Sequence, residues 1–197
     1  MLRPTTIILL ISTFALTSVT SKQDKLATDF QTSVDSFIKK YSTDFAPVTE
    51  TFYSDGNDFI LDKKVRTSWD KTVTLKHKTA FKNKYDQKVY QRIYLGFYQY
   101  DSDKQCSVAL DSLLNCFGTD CGKLKWSDNG KSLKATPTIY LINEREIIVC
   151  KIHCEHTNDF WTTFKHDLTT TFGKGTYRII DAGCGGPINF TKTSNDK

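Results

Sequence analysis

The chain has 197 residues, a formal net charge of +5, 39% hydrophobic, 13% aromatic and 25% charged residues, and a mean hydropathy of −0.42. These values describe a globular chain and exclude collagen, a coiled coil, a disordered polymer and a multi-span membrane protein. A chain of this size buries roughly 70% of the surface its unfolded form exposes, so its six cysteines are not required merely to hold a core together.

Met1 to Ser21 carries the three parts of a secretory signal: Arg3, an apolar stretch from Ile7 to Leu16, and a polar end in which Val19 and Ser21 suit cleavage after Ser21. The apolar stretch is about half of the roughly 20 residues needed to cross a bilayer, and no later segment is apolar enough to span. The expected organisation is a signal peptide over 1–21, one α+β domain over 22–187 and a flexible tail over 188–197. The expected location is outside the cell. There, Cys106, Cys116, Cys121, Cys150, Cys154 and Cys184 read most simply as three disulfides. Cys150 and Cys154 on one strand would lie about 13 Å apart, too far to bridge each other. Asn189-Phe190-Thr191 is a glycan acceptor sequence.

From Leu26, the residues Phe30, Val34, Phe37, Ile38 and Tyr41 recur at helical spacing with Asp and Lys between them, which predicts an amphipathic helix. Thr43 or Asp44 could cap a second short helix carrying Pro47, Val48 and Phe52, ending at the Ser54-Asp55-Gly56-Asn57 turn, with a strand over Asp58 to Leu61. From Val73 the period becomes two. Val73, Leu75, Phe81, Val89, Ile93, Leu95 and Phe97 are odd-numbered, whereas Lys76, Lys78, Lys82, Lys84, Lys88 and Arg92 are even. A turn between Asn83 and Lys88 makes this a hairpin with an apolar and a basic face. Cys106 to Cys116 reads as a short helix, and Gly118 to Lys134 as a polar, turn-rich loop with a turn at Asp128-Asn129-Gly130. After Pro137 four β runs are predicted: Thr138 to Ile142, Ile147 to His156, Phe160 to Phe172 and Thr176 to Cys184, with hairpin loops at Asn143-Glu144 and Gly173-Lys174-Gly175.

Helix, helix, strand, hairpin, helix and a four-stranded meander is an order that resembles the NTF2-like fold, in which a curved, mainly antiparallel sheet wraps a long helix as a cone. The run Phe37-x3-Tyr41-x3-Phe45-x2-Val48-x3-Phe52-Tyr53-Ser54-Asp55-Gly56-Asn57-Asp58-Phe59 resembles the family's opening helices and its aromatic lead-in to the first strand. Phe164 to Asp181 around Gly173-Lys174-Gly175-Thr176-Tyr177-Arg178-Ile179-Ile180 resembles its closing pair, with Tyr177 where a Trp is usual. The resemblance implies a cavity for a small apolar ligand and a possible homodimer through the sheet, which a lysine-covered face would oppose. Such folds host enzymes, carriers and binding modules alike. Thr136 to Ile142 with the following hairpin also looks like the last third of a thioredoxin fold, although the Cys-x-x-Cys that chemistry needs is missing.

On the predicted strand, Phe160, Thr162, Phe164, His166, Leu168, Thr170 and Phe172 share one face. If that face lined the cavity, His166 would be a titratable group in apolar surroundings and Asp181 its orienting partner, as a small isomerase, dehydratase or hydrolase would require. His153, Cys154, Glu155 and His156 are the densest set of possible metal ligands, but on a strand His153 and His156 point to opposite sides. No hydrolase elbow or phosphate loop occurs, and no metal or cofactor is implied. Charge is the stronger signal. Residues 63–92 hold Lys63, Lys64, Arg66, Lys71, Lys76, Lys78, Lys82, Lys84, Lys88 and Arg92 against Asp70 and Asp86, with Trp69, Tyr85 and Tyr90 among them. A binding module whose basic face, centred on Lys76, Lys78, Lys82, Lys84, Lys88 and Arg92, attracts an extracellular polyanion is the favoured function.

Overall fold

The computed structural model describes residues 28–49, 65–82, 85–118, 120–156, 159–173 and 177–193. The first helix, α1, covers 28–40 and is followed by β1 (Phe45–Val48), β2 (Trp69–His77), β3 (Phe81–Lys82), β4 (Lys88–Val89) and β5 (Arg92–Gln99). Then come α2 (Asp103–Leu114), β6 (Thr138–Ile142), β7 (Glu146–Ile152), a 3-10 turn at Cys154–His156, α3 (Asp159–Phe172), β8 (Tyr177–Ala182) and β9 (Ile188–Thr193). The fold class is α+β. Seven strands form one sheet in the order β1-β2-β5-β7-β6-β8-β9, with every neighbouring pair antiparallel, while β3 and β4 pair only with each other.

The central strands are apolar on both sides, so the sheet needs a cover on each face. Ile148, Cys150 and Ile152 of β7, Ile139 and Leu141 of β6, and Ile93, Leu95 and Phe97 of β5 meet α1 and α3 through Phe30, Val34, Phe37, Trp161, Phe164, Leu168 and Phe172. Ile147 and Val149, Tyr140 and Ile142, and Tyr98 point the other way. They meet Cys106, Ala109, Leu110, Leu113 and Leu114 of α2, with Phe117, Leu124 and Leu133 from the loop that follows it. Each buried Leu, Ile or Phe contributes about 1.5–3 kcal/mol relative to exposure, so two complete cores hold the sheet. Phe37 lies 5.5 Å from Phe164 and 5.4 Å from Phe172 between ring centroids, and Phe97 lies 5.8 Å from Phe172. These aromatic rings pack against one another between the helices and the sheet.

Polar contacts fix how the helices sit. The Asp167 Oδ2 of α3 accepts from Lys40 Nζ and from the Tyr41 hydroxyl at the end of α1, both at 2.6 Å, and these bonds lower the Asp167 pKa. Lys165 Nζ reaches Asp181 Oδ2 of β8 at 2.6 Å. The β6–β7 turn is organised by Asn143, whose Oδ1 accepts from the Arg145 and Glu146 amides.

Four expectations are corrected. Residues 160–172 are helical because Phe160, Phe164, Leu168 and Phe172, four apart, fit a helical stripe as well as an alternating strand; the buried set is Trp161, Phe164, Leu168 and Phe172. Only an edge would have been open to a strand there, since β7 already pairs with β5 and β6. Gly173 ends the helix: its N–H donates to Thr169 O at 2.7 Å, and a Cβ would stand 2.4 Å from that oxygen. The predicted second helix is replaced by β1, an edge strand that tolerates Pro47 because the missing N–H is not needed there. The tail predicted over 188–197 is strand β9 as far as Thr193, held by the buried Ile188 and by Phe190 against Trp126. The run predicted as strand to His156 stops at Ile152 and turns into the 3-10 segment. The four-stranded meander of the NTF2-like order is thus interrupted by α3. The signal peptide, the aromatic lead-in over 52–59, the Asp58–Leu61 strand and residues 194–197 lie outside the described residues.

Gly96 in β5 faces the α2 side, where a Cβ would stand 2.8 Å from the Tyr98 ring and 2.8 Å from Val149 Cγ1. Gly96→Ala should therefore lower stability by about 1–3 kcal/mol through overpacking, read as a lower urea midpoint at unchanged slope.

Candidate functional site

The β2–β5 ladder ends at Lys76↔Arg92. One residue further, after His77 pairs with Phe45 of β1, the chain leaves the sheet, and β3 and β4 form a separate rung pair, Phe81↔Val89 and Lys82↔Lys88. Asp86 takes a positive φ of 60° in the connecting turn, a conformation that Asp tolerates better than most residues. Two pairs of like charge are thereby set directly opposite each other. Every described residue from Phe81 to Tyr90 is exposed except Val89, which is half-buried.

The predicted basic residues differ in what they do. Lys88 is exposed. Lys82 is also exposed and reaches Asp86 Oδ1 at 2.5 Å. Lys76 lies over the Tyr90 ring at 4.6 Å, an attraction between ammonium and the face of the ring. Lys78 donates to the carbonyls of Ser42 and Thr43 at 2.7 and 2.9 Å, so it caps the chain leaving α1 and is partly committed to the fold. Arg92 is half-buried at the root of the hairpin, and Lys84 lies outside the described residues. Among the aromatics, Trp69 packs into the core beside Phe30, whereas Tyr85 and Tyr90 are 69% and 37% exposed. Phe81, assigned to the apolar face by its odd number, is 39% exposed because that face has no cover beyond the sheet. The signal available in the sequence was the turn at Asn83 to Lys88, which places Phe81 within reach of the tip.

His156 stands at the base of this excursion. It is buried, its ring meets Phe81 edge to face at 5.2 Å, and its Nε2 is 3.2 Å from Glu155 Oε1. Burial lowers its pKa, opposed by Glu155 and reinforced by His153 and Arg92. Proximity to a carboxylate alone would suggest an ion pair, but Glu155 is half-exposed and its charge is screened by water, so desolvation wins and the imidazole is neutral at pH 7. No group of three or more His, Cys, Asp and Glu suited to a metal ion occurs among the described residues.

The catalytic pair considered from sequence is not assembled. His166 projects from the exposed side of α3, and Asp181 on β8 is held by Lys165 from the same helix. The shared strand face on which the pairing rested does not exist, because 160–172 is helical.

Four cysteines pair, as Cys116–Cys121 and Cys154–Cys184. The first closes a tight loop after α2, and the second ties the 3-10 segment to the β8–β9 connection. The expected third bridge is absent: Cys106 and Cys150 are buried thiols. Cys106 points from α2 into the core on one side of the sheet and Cys150 from β7 into the core on the other, so the sheet itself separates them. Burial pushes the Cys106 thiol up to about 12 and the Cys150 thiol well above its usual value, leaving both chemically inert. Asn189 is exposed on edge strand β9. Among the described residues no helix is long and apolar enough to cross a membrane.

The His156 shift has a definite sign. Its folded pKa lies below the unfolded value near 6.5, so its contribution to stability is complete above that value and is lost as pH falls from there through the folded pKa. Wild-type urea midpoints should fall between pH 7.5 and pH 5, and His156→Phe should flatten that dependence; an unchanged pH profile would remove His156 as its source.

Searches against protein-family models, curated proteins and solved structures find no match for this chain.

Proposed function

We propose that this chain is a secreted, disulfide-stabilised binding module that holds an extracellular polyanion on the basic β2–β5 hairpin, without catalysis. The observation that carries the reading is the pair of like-charged rungs, Lys76↔Arg92 and Lys82↔Lys88. Like charges directly opposite on a ladder oppose pairing by about 0.2–1 kcal/mol; Asp86 beside Lys82 and the Tyr90 ring under Lys76 relieve part of that repulsion, and a bound anion would relieve more. The potential of clustered cations raises the local concentration of anionic partners and speeds their association. Removal of the signal over 1–21 and a glycan on Asn189 belong to the same proposal. Two disulfides support an oxidising compartment, and the exposure of Asn189 on an edge strand suits an acceptor. Kinship with NTF2-like proteins is likewise a proposal, supported by the apolar stripe of α1 against an antiparallel sheet.

Retention on immobilised heparin tests the reading. The exported chain should elute at a salt concentration that falls clearly on combining Lys82→Glu with Lys88→Glu, because each lost contact reduces the salt dependence. His166→Ala should leave elution unchanged. Elution of the double variant with wild type would contradict the proposal.

A further inference from the structure

The hairpin carries more than charge. Of the four large hydrophobic residues that are exposed among the described residues, Phe81, Tyr85 and Tyr90 all lie between positions 81 and 90, and only Val108 lies elsewhere. They share the short β3–β4 unit with Lys82 and Lys88, and Tyr90 carries Lys76 over its ring. This unit is outside the seven-stranded sheet, so its aromatic rings are not the rim of a core. The ring of Phe81 is held at its edge by the buried His156. His156 follows Cys154, whose disulfide to Cys184 anchors the segment to the sheet. The Phe81 ring therefore rests on a segment that a disulfide ties to the sheet.

Aromatic residues mixed with lysines on a narrow exposed projection match the layered chemistry of a bilayer surface. Rings with one apolar and one polar end settle at the level of the headgroups. Ammonium groups beside them meet lipid phosphates and carboxylates, with their aliphatic stems lying along apolar surface. A single-stranded nucleic acid asks for something different, a positively charged groove that follows a backbone and a row of stacking platforms. Here the cations and rings sit on and beside the two strands of a two-rung projection, where every described residue from Phe81 to Tyr90 except Val89 is exposed, and no groove is formed by the pair alone. A polysaccharide sulfate would use the cations but has no need of Phe81 and Tyr85.

We propose that the β3–β4 projection docks on bilayers rich in anionic headgroups, with Phe81, Tyr85 and Tyr90 seated in the interface and Lys76, Lys82 and Lys88 on the headgroups. This rests on the polyanion reading above and narrows it to a lipid surface.

The test uses the full exported chain and sedimentation with vesicles of phosphatidylcholine alone or mixed with phosphatidylserine, beside heparin retention. Wild type should bind only the mixed vesicles. Tyr85→Ser, which removes a largely exposed ring without touching the core, and the double variant Phe81→Ser/Tyr85→Ser should weaken vesicle binding, the double by about tenfold as two interfacial rings are lost, while leaving heparin elution unchanged. A Tyr85→Trp variant should show a blue-shifted emission component on mixed vesicles and protection from an aqueous quencher. Failure of wild type to bind mixed vesicles while heparin retention persists would overturn the lipid assignment and leave the polyanion reading standing. So would loss of heparin retention in Tyr85→Ser equal to its loss of vesicle binding, or binding of a single-stranded oligonucleotide in place of vesicles. If Lys82→Glu/Lys88→Glu changes neither heparin nor vesicle binding, the underlying reading fails with it.

Discussion

Burial of β5, β7 and β6 on both faces is the constraint from which the rest of the architecture follows. A strand with one apolar face can lie on a core and meet water on the other side; these three cannot. Ile148 and Cys150 need α1 and α3, while Ile147 and Val149 need α2 and the loop after it. The same constraint explains the glycine at position 96, where Tyr98 and Val149 already occupy the space a side chain would take. It also decides the chemistry of two cysteines, since thiols carried into opposite cores can neither meet each other nor ionise readily.

What the two cores do not reach is defined just as sharply. Beyond Lys76↔Arg92 the hairpin continues past the ladder with β5, and from Phe81 to Tyr90 the described residues are exposed except the half-buried Val89. Alternation persists in the sequence there, but with no helix to receive it the odd-numbered Phe81 becomes surface. The buried His156 and the Cys154–Cys184 bridge stand where the projection meets the body. The proposed docking surface therefore lies where the packing stops, which is where cations and exposed rings cost the fold least.

How much of this was legible in the sequence depended on whether a residue pattern admitted one period or two. The α1 stripe of Phe30, Val34 and Phe37, the α2 segment around Cys106 and the β6 strand had a single reading, and each appears where expected. Residues 160–172 admitted two, because apolar residues four apart fall on one side of a strand and of a helix alike. Only the tertiary fact that β7 has both neighbours filled resolves the ambiguity. That error carried the His166 and Asp181 pairing with it. The basic segment was legible as composition, whereas the commitment of Lys78 to backbone carbonyls and the exposure of Phe81 depend on contacts with residues distant in sequence. Cysteine count suggested three bridges for the same reason, since it contains no information on which side of a sheet each sulfur lies.

Mapping the thiols by mass spectrometry tests the two-sided sheet most directly. The unreduced chain is alkylated first in buffer and then in denaturant, and its peptides are assigned. The structure requires no labelling of Cys106 or Cys150 in buffer, labelling of both and of no other cysteine in denaturant, and linked peptides for Cys116–Cys121 and Cys154–Cys184. A peptide linking Cys106 to Cys150 would place both sulfurs on one side of the sheet, and a chain with no thiol to label in denaturant would pair them with other cysteines; either result contradicts the account.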